Sequence, residues 1–244
     1  MSEQPQVQVR QVTLGDPPPI DAVKGTGVWV VVPMHDEGAV ISEVIHELLE
    51  AFDGVVAVDD GSRDSCGAVA RGAGAQVIRH SVNLGQGAAL QTGISYALEL
   101  GAGYIVTFDA DGQHRIEDAV GMVMLAQRDD LAIVFGSRFL DDRTKPGWFR
   151  STLLRTAVWV TNQSTGMSLT DAHNGLRVIR ADAARAINIH HDRMSHASEI
   201  VMQLYGTQLP YAEYPVEILY TDYSRGKGQS LWNSVNILVD LLTN

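Results

Sequence analysis

Two aspartates, one residue apart, follow an apolar stretch in "VTFDADGQH", residues 106–114. Asp109 and Asp111 would stand at the end of a buried strand, where an unpaired charge is costly. Carboxylates are hard oxygen ligands, and with a glycine turn and the side-chain oxygen of Gln113 beside them they suit Mg²⁺ or Mn²⁺ that also contacts substrate phosphates. His114 is expected to be a hydrogen-bonding neighbour. Because a D-x-D spacing also occurs in ordinary surface loops, the prediction of a metal site depends on the position at the strand end.

A second pair of acids, Asp59 and Asp60 in "VAVDDGSRD", precedes a glycine turn. Adjacent carboxylates at a strand end can accept hydrogen bonds from a ribose or from a base N–H. The competing interpretation is a helix cap, which accounts for Ser62 or Asp64 at the start of the next helix. A cap does not need two further acids before the turn, so we expect Asp59 and Asp60 to contact a nucleoside.

Basic side chains stand out because the chain is acidic, with 29 Asp and Glu against 18 Lys and Arg and a formal net charge of −11. An anionic ligand would therefore need a local basic group or a metal, and binding to nucleic acid is not expected. Arg138 in "GSRF" and Arg177 in "NGLRVI" could each neutralise a phosphate. Arg225 and Lys227 in "SRGKGQS" fit either a lid that closes on an anion or a solvated loop.

Asp171 in "LTDAHNGLR" enters a predicted strand in the second half of the chain. A carboxylate there is a candidate general base or a group that positions an acceptor, and a turn aspartate is the competing interpretation. Around it, the apolar patterns predict a helix within residues 147–166, a strand at residues 173–179, a helix at residues 195–206 and a late strand at residues 211–220.

The elements that would position these residues alternate along the first half of the chain. "VWVVVP" is a short β-branched run, and the segment after it repeats apolar side chains at helical spacing, at Val40, Val44, Leu48 and Phe52. The alternation continues to "LAIVFGSRF", which predicts the α/β class, with a mostly parallel, Rossmann-like sheet and helices on both faces. Ligands of such sheets bind at the carboxyl ends of the strands, where the polar segments described above lie.

We expect one globular domain at residues 27–228, preceded by a polar tail or strap at residues 1–26. Residues 229–244 are expected to form an amphipathic C-terminal helix, with an apolar stripe of Leu231, Val235, Leu238 and Leu242. The single cysteine, Cys66, excludes an internal disulfide and favours a reducing compartment. The chain shows no signal peptide and no apolar run of about 18 residues, so we expect a cytoplasmic protein, either free or peripheral at the cytoplasmic membrane.

Two other classes of nucleotide-binding enzyme do not fit. A Rossmann dehydrogenase needs a glycine-rich turn after the first strand, and "PMHDEG" stands there instead. A phosphate-loop NTPase needs the sequence G-x-x-x-x-G-K-S/T, which the chain lacks. "NLGQGAAL" has two glycines near a helix start, which fit either the approach of a diphosphate or an ordinary tight turn.

Taken in order, "VVVPMHDEG", "VDDGSRD", "NLGQGAALQTGI", "DADGQH", "GSRF" and "DAHNGLRVI" resemble the motifs of the family 2 glycosyltransferases, in particular their dolichyl-phosphate mannose synthase-like branch. The resemblance extends from Val28 to Tyr223, and the ordered set is far more specific than any single motif. It implies a GT-A fold and an inverting, metal-dependent transfer of a sugar from a UDP- or GDP-sugar. The implied acceptor is a polyprenyl phosphate, which would bring the enzyme to a membrane surface or to a membrane partner protein.

The resemblance also implies a role for each motif residue. The nucleoside pocket would be lined by Pro33, Glu37, Asp59 and Asp60. The divalent metal, Mg²⁺ or Mn²⁺, would be held on the donor's diphosphate by Asp109, Asp111 and Gln113. Catalytic groups near the sugar and acceptor would be Asp111, Arg138 and Asp171, and the late loop would contact phosphate through Arg225 and Lys227.

The chain departs from the family pattern at two motif positions. Asp36 stands where Asn is common before Glu37, and Gln86 stands where Lys is common between two glycines. The loss of that cation beside the diphosphate either gives Arg225 and Lys227 more weight or shifts the preference for the donor. Two alternatives stay open: transfer to a soluble hydroxyl acceptor, which would want a carboxylate base, and a catalytically silent nucleotide-sugar binding module.

Overall fold

The computed structural model describes residues 16–141, 143, 158, 162, 169–189 and 195–219. The strands within them are β1 (Val28–Met34), β2 (Gly54–Asp59), β3 (Gln76–Arg79), β4 (Tyr104–Thr107), β5 (Ile133–Ser137), β6 (Arg177–Arg180) and β7 (Tyr211–Pro215). The helices are α1 (Ile41–Ala51), α2 (Cys66–Gly72), α3 (Gln86–Glu99), α4 (Ile116–Arg128), α5 (Ala181–Arg185) and α6 (Ser195–Gly206). The predicted helix at residues 195–206 is confirmed at both ends.

One sheet contains all seven of these strands, in the order β3-β2-β1-β4-β6-β5-β7. The first four strands are parallel, β7 is parallel to β5, and β6 is antiparallel to both of its neighbours. The prediction of a mostly parallel α/β sheet is therefore confirmed. Strands that follow β1 in sequence are added first on one side of it and then, from β4, on the other. The carboxyl ends of β1 and β4 therefore open a crevice, which is where such sheets bind ligands.

The central strands are apolar along their whole length because helices cover both faces of the sheet. On one face, α1 packs through Ile41, Ile45 and Leu48, and on the other α3 packs through Ile94, all of which are buried. The apolar spacing predicted α1 correctly, although the helix begins one residue after Val40. Full burial of these side chains on two faces supplies the hydrophobic stabilisation that holds the strand ends in place.

The turn that leads into β1 is fixed by Asp53. Its carboxylate accepts hydrogen bonds from the backbone N–H groups of Gly25, Gly27 and Val28, at 2.5, 2.6 and 2.8 Å. These bonds tie the described part of the predicted strap, residues 16–26, to the connection between α1 and β2. The boundaries of the predicted segments 1–26, 27–228 and 229–244 stay predictions, and residues 220–244 lie outside the described residues.

The second half of the chain differs from its prediction in the bounds of two strands. The predicted strand at residues 173–179 is β6, which starts only at Arg177, and the late strand ends at Pro215. The predicted helix within residues 147–166 lies almost wholly outside the described residues. Only positions 158 and 162 of this range are described, and both are helical. In the described part of the chain, no helix combines the length and the apolar character that crossing a membrane requires.

Candidate functional site

A cleft of about 340 Å³ lies at the carboxyl ends of β1, β2 and β4. Five of the predicted site residues line it: Pro33, Glu37, Asp60, Asp109 and Asp111. The start of α3 forms another wall. This volume lies within the range of small-molecule sites, so the structure brings together the residues that the sequence placed after three separate strands.

Asp109 and Asp111 follow β4, and the chain turns at Gly112, whose φ of +69° favours glycine. Asp109 accepts hydrogen bonds from Gln86 Nε2 at 3.1 Å and from His114 Nε2 at 2.9 Å. The prediction that His114 is a hydrogen-bonding neighbour is therefore confirmed. Asp111 accepts one from the backbone N–H of Gln113 at 3.1 Å.

The two carboxylates repel each other. Partial burial of Asp111, together with the nearby charge of Asp109, raises the pKa of Asp111 to about 6. A group whose ionised form is disfavoured in this way is stabilised by an added cation, which is the chemistry of a divalent metal site. The donor set of two hard carboxylate oxygens on one wall of an open cleft fits Mg²⁺ or Mn²⁺.

The charge of the cleft is uniformly negative at its described walls. Four carboxylates line it, and no Lys or Arg is found among the described lining residues. In the part of the chain that the structure describes, no group of three or more Asp, Glu, His or Cys side chains could by itself hold a metal. A cation at Asp109 and Asp111 would therefore keep most of its coordination for water and phosphate oxygens, as Mg²⁺ commonly does.

Gln113, the third predicted metal ligand, is buried and does not line the cleft. Its backbone carbonyl accepts a hydrogen bond from the N–H of Leu219 at 2.8 Å, which joins the loop after β4 to the segment after β7. A role for its side chain in metal binding stays a prediction.

Asp60 lines the cleft, but protein donors already occupy its carboxylate. The backbone N–H groups of Leu84 and Gly85 donate to it at 2.9 and 2.8 Å, and His80 Nδ1 bonds it at 2.7 Å. The Nε2 atom of His80 in turn bonds Thr92 at 3.0 Å. Asp60 thus fixes the turn before α3, which forms the opposite wall of the cleft.

Asp59 is fully buried and is not one of the residues that line the cleft. Its carboxylate accepts the N–H of Ser62 at 2.9 Å and lies 3.4 Å from Arg79 Nε. These contacts tie the end of β2 to the loop that follows it and to the end of β3. The predicted contact of Asp59 with a nucleoside stays a prediction, and the geometry assigns this carboxylate a bracing role.

Two loops beside the cleft are braced by reciprocal bonds that the sequence analysis did not find. Asp36 accepts the N–H of Arg63 at 2.7 Å, and Asp64 accepts the N–H of Gly38 at 2.8 Å. Hydrogen bonding to Arg63 lowers the pKa of Asp36. Asp36 has a φ of +55°, a conformation that Asp tolerates better than most residues. This preference of Asp was the one property of the sequence that could have indicated the turn.

The predicted helix cap is partly right. Asp64 accepts the N–H of Cys66, the first residue of α2, at 2.9 Å, whereas Ser62 accepts the N–H of Asp36 at 3.0 Å. Ser65 occupies the N-cap position without a capping side-chain bond. Capping therefore accounts for Asp64, and Ser62 serves the loop after β1 instead.

Arg138 and Asp171 form a bidentate ion pair at the end of β5. Arg138 Nε and Nη2 donate to the two Asp171 oxygens at 2.6 and 2.8 Å, and the backbone N–H of Arg138 adds a third bond at 3.2 Å. The Asp171 side chain is fully buried, and that of Arg138 is 15% exposed. Burial alone would raise the pKa of Asp171, yet the guanidinium holds it below its ordinary value. Asp171 thus orients Arg138.

A buried polar layer lies behind this pair. Glu213 accepts bonds from the Thr170 N–H, the Thr170 hydroxyl and the Asp171 N–H, at 2.8, 2.9 and 3.2 Å. Burial raises the pKa of Glu213 to about 7. Arg177, a sequence candidate for phosphate binding, is only 2% exposed, and burial lowers its pKa to about 10 against the attraction of Asp109 and Asp171. Arg177 therefore belongs to the interior.

A second cavity, of about 780 Å³, shares Asp111 with the cleft and is bounded by α1 and the start of α4. It is also acidic, since Glu43, Glu47 and Glu117 line it with Glu50. Burial and these neighbouring carboxylates raise the pKa of Glu47. Such a lining is unfavourable for a phosphate. Arg225 and Lys227 lie outside the described residues.

Residues 29–187 match the family model described as glycosyl transferase family 2. An uncharacterized protein of Methanocaldococcus jannaschii is 33% identical over 234 residues, which cover 91% of this chain and 94% of that protein. The UDP-N-acetylglucosamine–dolichyl-phosphate N-acetylglucosaminyltransferase of Methanococcus voltae is 27% identical over 88% of this chain and 94% of its own. The undecaprenyl-phosphate mannosyltransferase of Micrococcus luteus is 28% identical over 66% of this chain and 70% of its own length.

Among solved structures, glucosyl-3-phosphoglycerate synthase from Mycobacterium tuberculosis, in complex with Mn²⁺, UDP and phosphoglyceric acid, matches with a TM-score of 0.63 and 16% identity. The match covers 92% of this chain and 81% of that chain. The same enzyme with Mg²⁺ and UDP matches with a TM-score of 0.62 over 91% and 82%. At this identity the likeness concerns the fold, and it confirms the predicted GT-A fold.

Proposed function

The chain belongs to glycosyl transferase family 2, and we propose that this glycosyltransferase moves a sugar from a UDP- or GDP-sugar to a polyprenyl phosphate, with inversion at the anomeric carbon. The observation that carries the proposal is the pair Asp109 and Asp111 on the wall of a cleft whose described lining has four carboxylates and neither Lys nor Arg. Such a cleft repels a diphosphate unless a cation is bound there.

In this proposal Asp109 and Asp111 hold Mg²⁺ or Mn²⁺, with Gln113 as a further candidate ligand. When bound, the cation supplies positive charge against the negative charge that grows on the departing diphosphate. The nucleoside lies between Pro33 and the start of α3, in the part of the cleft that Asp60 shapes through Leu84 and Gly85. Pre-formed walls of this kind position the donor without the cost of ordering them at each turnover.

The transfer step breaks the bond between the anomeric carbon and the diphosphate oxygen, and the leaving nucleoside diphosphate keeps the electron pair. An acceptor phosphate oxygen forms the new bond from the opposite face of the sugar, which inverts the anomeric configuration. The acceptor phosphate is already an anion, so it needs little help from a general base. We assign Arg138, which Asp171 orients at the end of β5, to phosphate contact together with Arg225 and Lys227.

Two relatives support the choice of acceptor through their names, since they transfer N-acetylglucosamine to dolichyl phosphate and mannose to undecaprenyl phosphate. A lipid-linked acceptor lies in a membrane, so we propose that the enzyme works at a membrane surface, on the cytoplasmic side. A membrane partner protein would serve the same purpose.

A transfer assay tests the function directly. The purified chain is supplied with UDP-N-acetylglucosamine or GDP-mannose, with Mn²⁺ or with EDTA, and with a short polyprenyl phosphate, the matching polyprenol or a simple sugar as acceptor. We expect metal-dependent product with the phosphate acceptor alone. Product from the simple sugar instead would establish the hydroxyl-acceptor alternative, and donor binding without product from any acceptor would establish the silent binding module.

A further inference from the structure

Gly175 lies directly against the carboxylate of Asp109. A Cβ atom at position 175 would stand 2.4 Å from Asp109 Oδ2, 2.8 Å from Oδ1 and 2.9 Å from Cγ. All three distances are shorter than real Cβ contacts, so any larger residue there must displace the carboxylate or the backbone. The φ of Gly175 is outside the left-handed region. Glycine is therefore required here because a side chain has no room, and not because the backbone adopts a conformation that only glycine favours.

The backbone at Gly175 is held in place and cannot move away from Asp109 at low cost. The Thr107 hydroxyl, at the end of β4, donates to the Gly175 carbonyl at 2.6 Å. Thr107 also pairs with Arg177 in the antiparallel register of β4 and β6. On the other side, Leu176 is fixed by a bond from its N–H to Asn174 Oδ1 at 3.0 Å and by one from the N–H of Gly136 to its carbonyl at 3.0 Å.

The other sides of the Asp109 carboxylate are held by side chains. Gln86 Nε2 donates to Oδ1, and His114 Nε2 bonds Oδ2. The His114 ring is itself buried and packs edge-on against Phe108, with the ring centroids 5.3 Å apart. Gly175 thus closes the third side of a cradle from which the carboxylate reaches the cleft.

We propose that Gly175 is a positioning residue for Asp109: its bare Cα sets the place of that carboxylate relative to Asp111, and so the geometry in which the pair takes a divalent cation. This assignment rests on the proposed function, in which Asp109 and Asp111 hold the metal. It also explains why the segment before β6, far from the D-x-D motif in sequence, would matter for metal affinity.

The test uses Mn²⁺ binding, followed by the loss of the free Mn²⁺ electron paramagnetic resonance signal, with UDP or GDP present. The variants are Gly175→Ala, Asp109→Asn and Gly72→Ala, and the last is a matched control because a Cβ at Gly72 would meet nothing within 4 Å. We expect Gly175→Ala to weaken Mn²⁺ binding about tenfold or more, in the range for residues that orient metal ligands. Gly72→Ala should bind Mn²⁺ like the wild type.

The outcomes distinguish a failure of the proposed metal site from a failure of the role assigned to Gly175. If Asp109→Asn binds Mn²⁺ as tightly as the wild type, the metal site of the proposed function is wrong. If Asp109→Asn loses the metal while Gly175→Ala keeps wild-type affinity, Gly175 does not position Asp109.

A double-mutant cycle on thermal unfolding keeps the assignment testable if Gly175→Ala folds poorly. Asp109→Ala removes the carboxylate atoms that a new Cβ would meet. The drop in melting temperature caused by Gly175→Ala should therefore shrink by at least half in the Asp109→Ala background. An equal drop in both backgrounds would overturn the inference.

Discussion

Two pairs of aspartates lie at the carboxyl ends of β2 and β4, the strands on either side of β1 in the sheet. Asp59 and Asp60 are at the end of β2, and Asp109 and Asp111 follow β4. The side chains of the first pair are 0% and 5% exposed, whereas that of Asp109 is 31% exposed. Backbone N–H groups, His80 and Arg79 surround the first pair. Gln86, His114 and the backbone N–H of Gln113 donate to the second pair, and mutual repulsion contributes to the raised pKa of Asp111.

The difference shows that a paired acid at a strand end has two possible uses. A carboxylate whose two oxygens both accept hydrogen bonds from the protein, as those of Asp60 do, braces a loop beside the site. Two carboxylates that repel each other on one wall of an open cleft are stabilised by an added cation. The four predictions below test this division, beginning with the largest expected effect.

Asp111→Asn should lower sugar transfer by roughly 10³-fold, because a metal contributes several kcal/mol of charge stabilisation to the transition state. The substitution keeps the size of the side chain and removes one repelling charge, so the melting temperature should not fall. Transfer rates at saturating donor, together with a thermal melt of the same sample, measure both effects. A variant with full activity would sink the metal assignment.

Glu213 provides an intermediate case, because its Oε1 is well bonded but its buried Oε2 has no hydrogen-bond partner among the described residues. Since burial raises its pKa to about 7, from an ordinary 4.5, the neutral acid stabilises the fold. That stability is fully present below pH 4.5 and is lost as the pH rises through about 7, by up to about 3 kcal/mol.

Urea unfolding at pH 5 and pH 8 tests this expectation. Glu213→Gln should reduce the difference in unfolding free energy between the two pH values, and the part contributed by the raised pKa of Asp111 should remain. A wild-type protein that is equally stable at both would show that Glu213 does not titrate in this range.

Asp171→Asn should lower transfer to a phosphate acceptor by roughly 30-fold, as expected when a group that orients another is lost. If Asp171 acts through Arg138, then Arg138→Gln and the double variant should be no more than a few-fold different from each other. Steady-state kinetics with the phosphate and hydroxyl acceptors provide the measurement. A loss confined to the hydroxyl acceptor, and absent in Arg138→Gln, would instead identify Asp171 as a general base.

Asp60→Asn should have the smallest effect. Asparagine keeps one acceptor oxygen, so we expect a loss of about 1 kcal/mol of unfolding free energy from the weakened bonds to the turn before α3. Nucleotide affinity should fall to the same modest extent with and without Mn²⁺. A loss seen only when Mn²⁺ is present would mean that Asp60 belongs to the metal site, contrary to its satisfied geometry.

The order of elements and the acid pair after β4 could be predicted from the sequence, because both depend on local patterns. Strand and helix periods marked α1 and the central strands, and the D-x-D spacing marked Asp109 and Asp111. The satisfaction of Asp60 could not be predicted, since its donors at His80, Leu84 and Gly85 arrive only through folding.

Side-chain direction was the other property that local patterns could not supply. Arg138 and Asp171 were both identified as site residues, but their ion pair joins positions 33 residues apart. Arg177 read as a phosphate contact and lies in the interior, because the antiparallel strand β6 occupies the centre of the sheet beside β4. The close contact of Gly175 with Asp109 likewise depends on that pairing.

Calorimetric titration of UDP and GDP into the wild type, Asp111→Asn and Asp60→Asn, each with and without Mn²⁺, tests the division between the two pairs most directly. We predict that Mn²⁺ strengthens nucleotide binding to the wild type and to Asp60→Asn at least tenfold, and leaves binding to Asp111→Asn unchanged. Nucleotide binding that ignores Mn²⁺ in the wild type, or an undiminished effect of Mn²⁺ in Asp111→Asn, would contradict the assignment of the metal to the acids after β4.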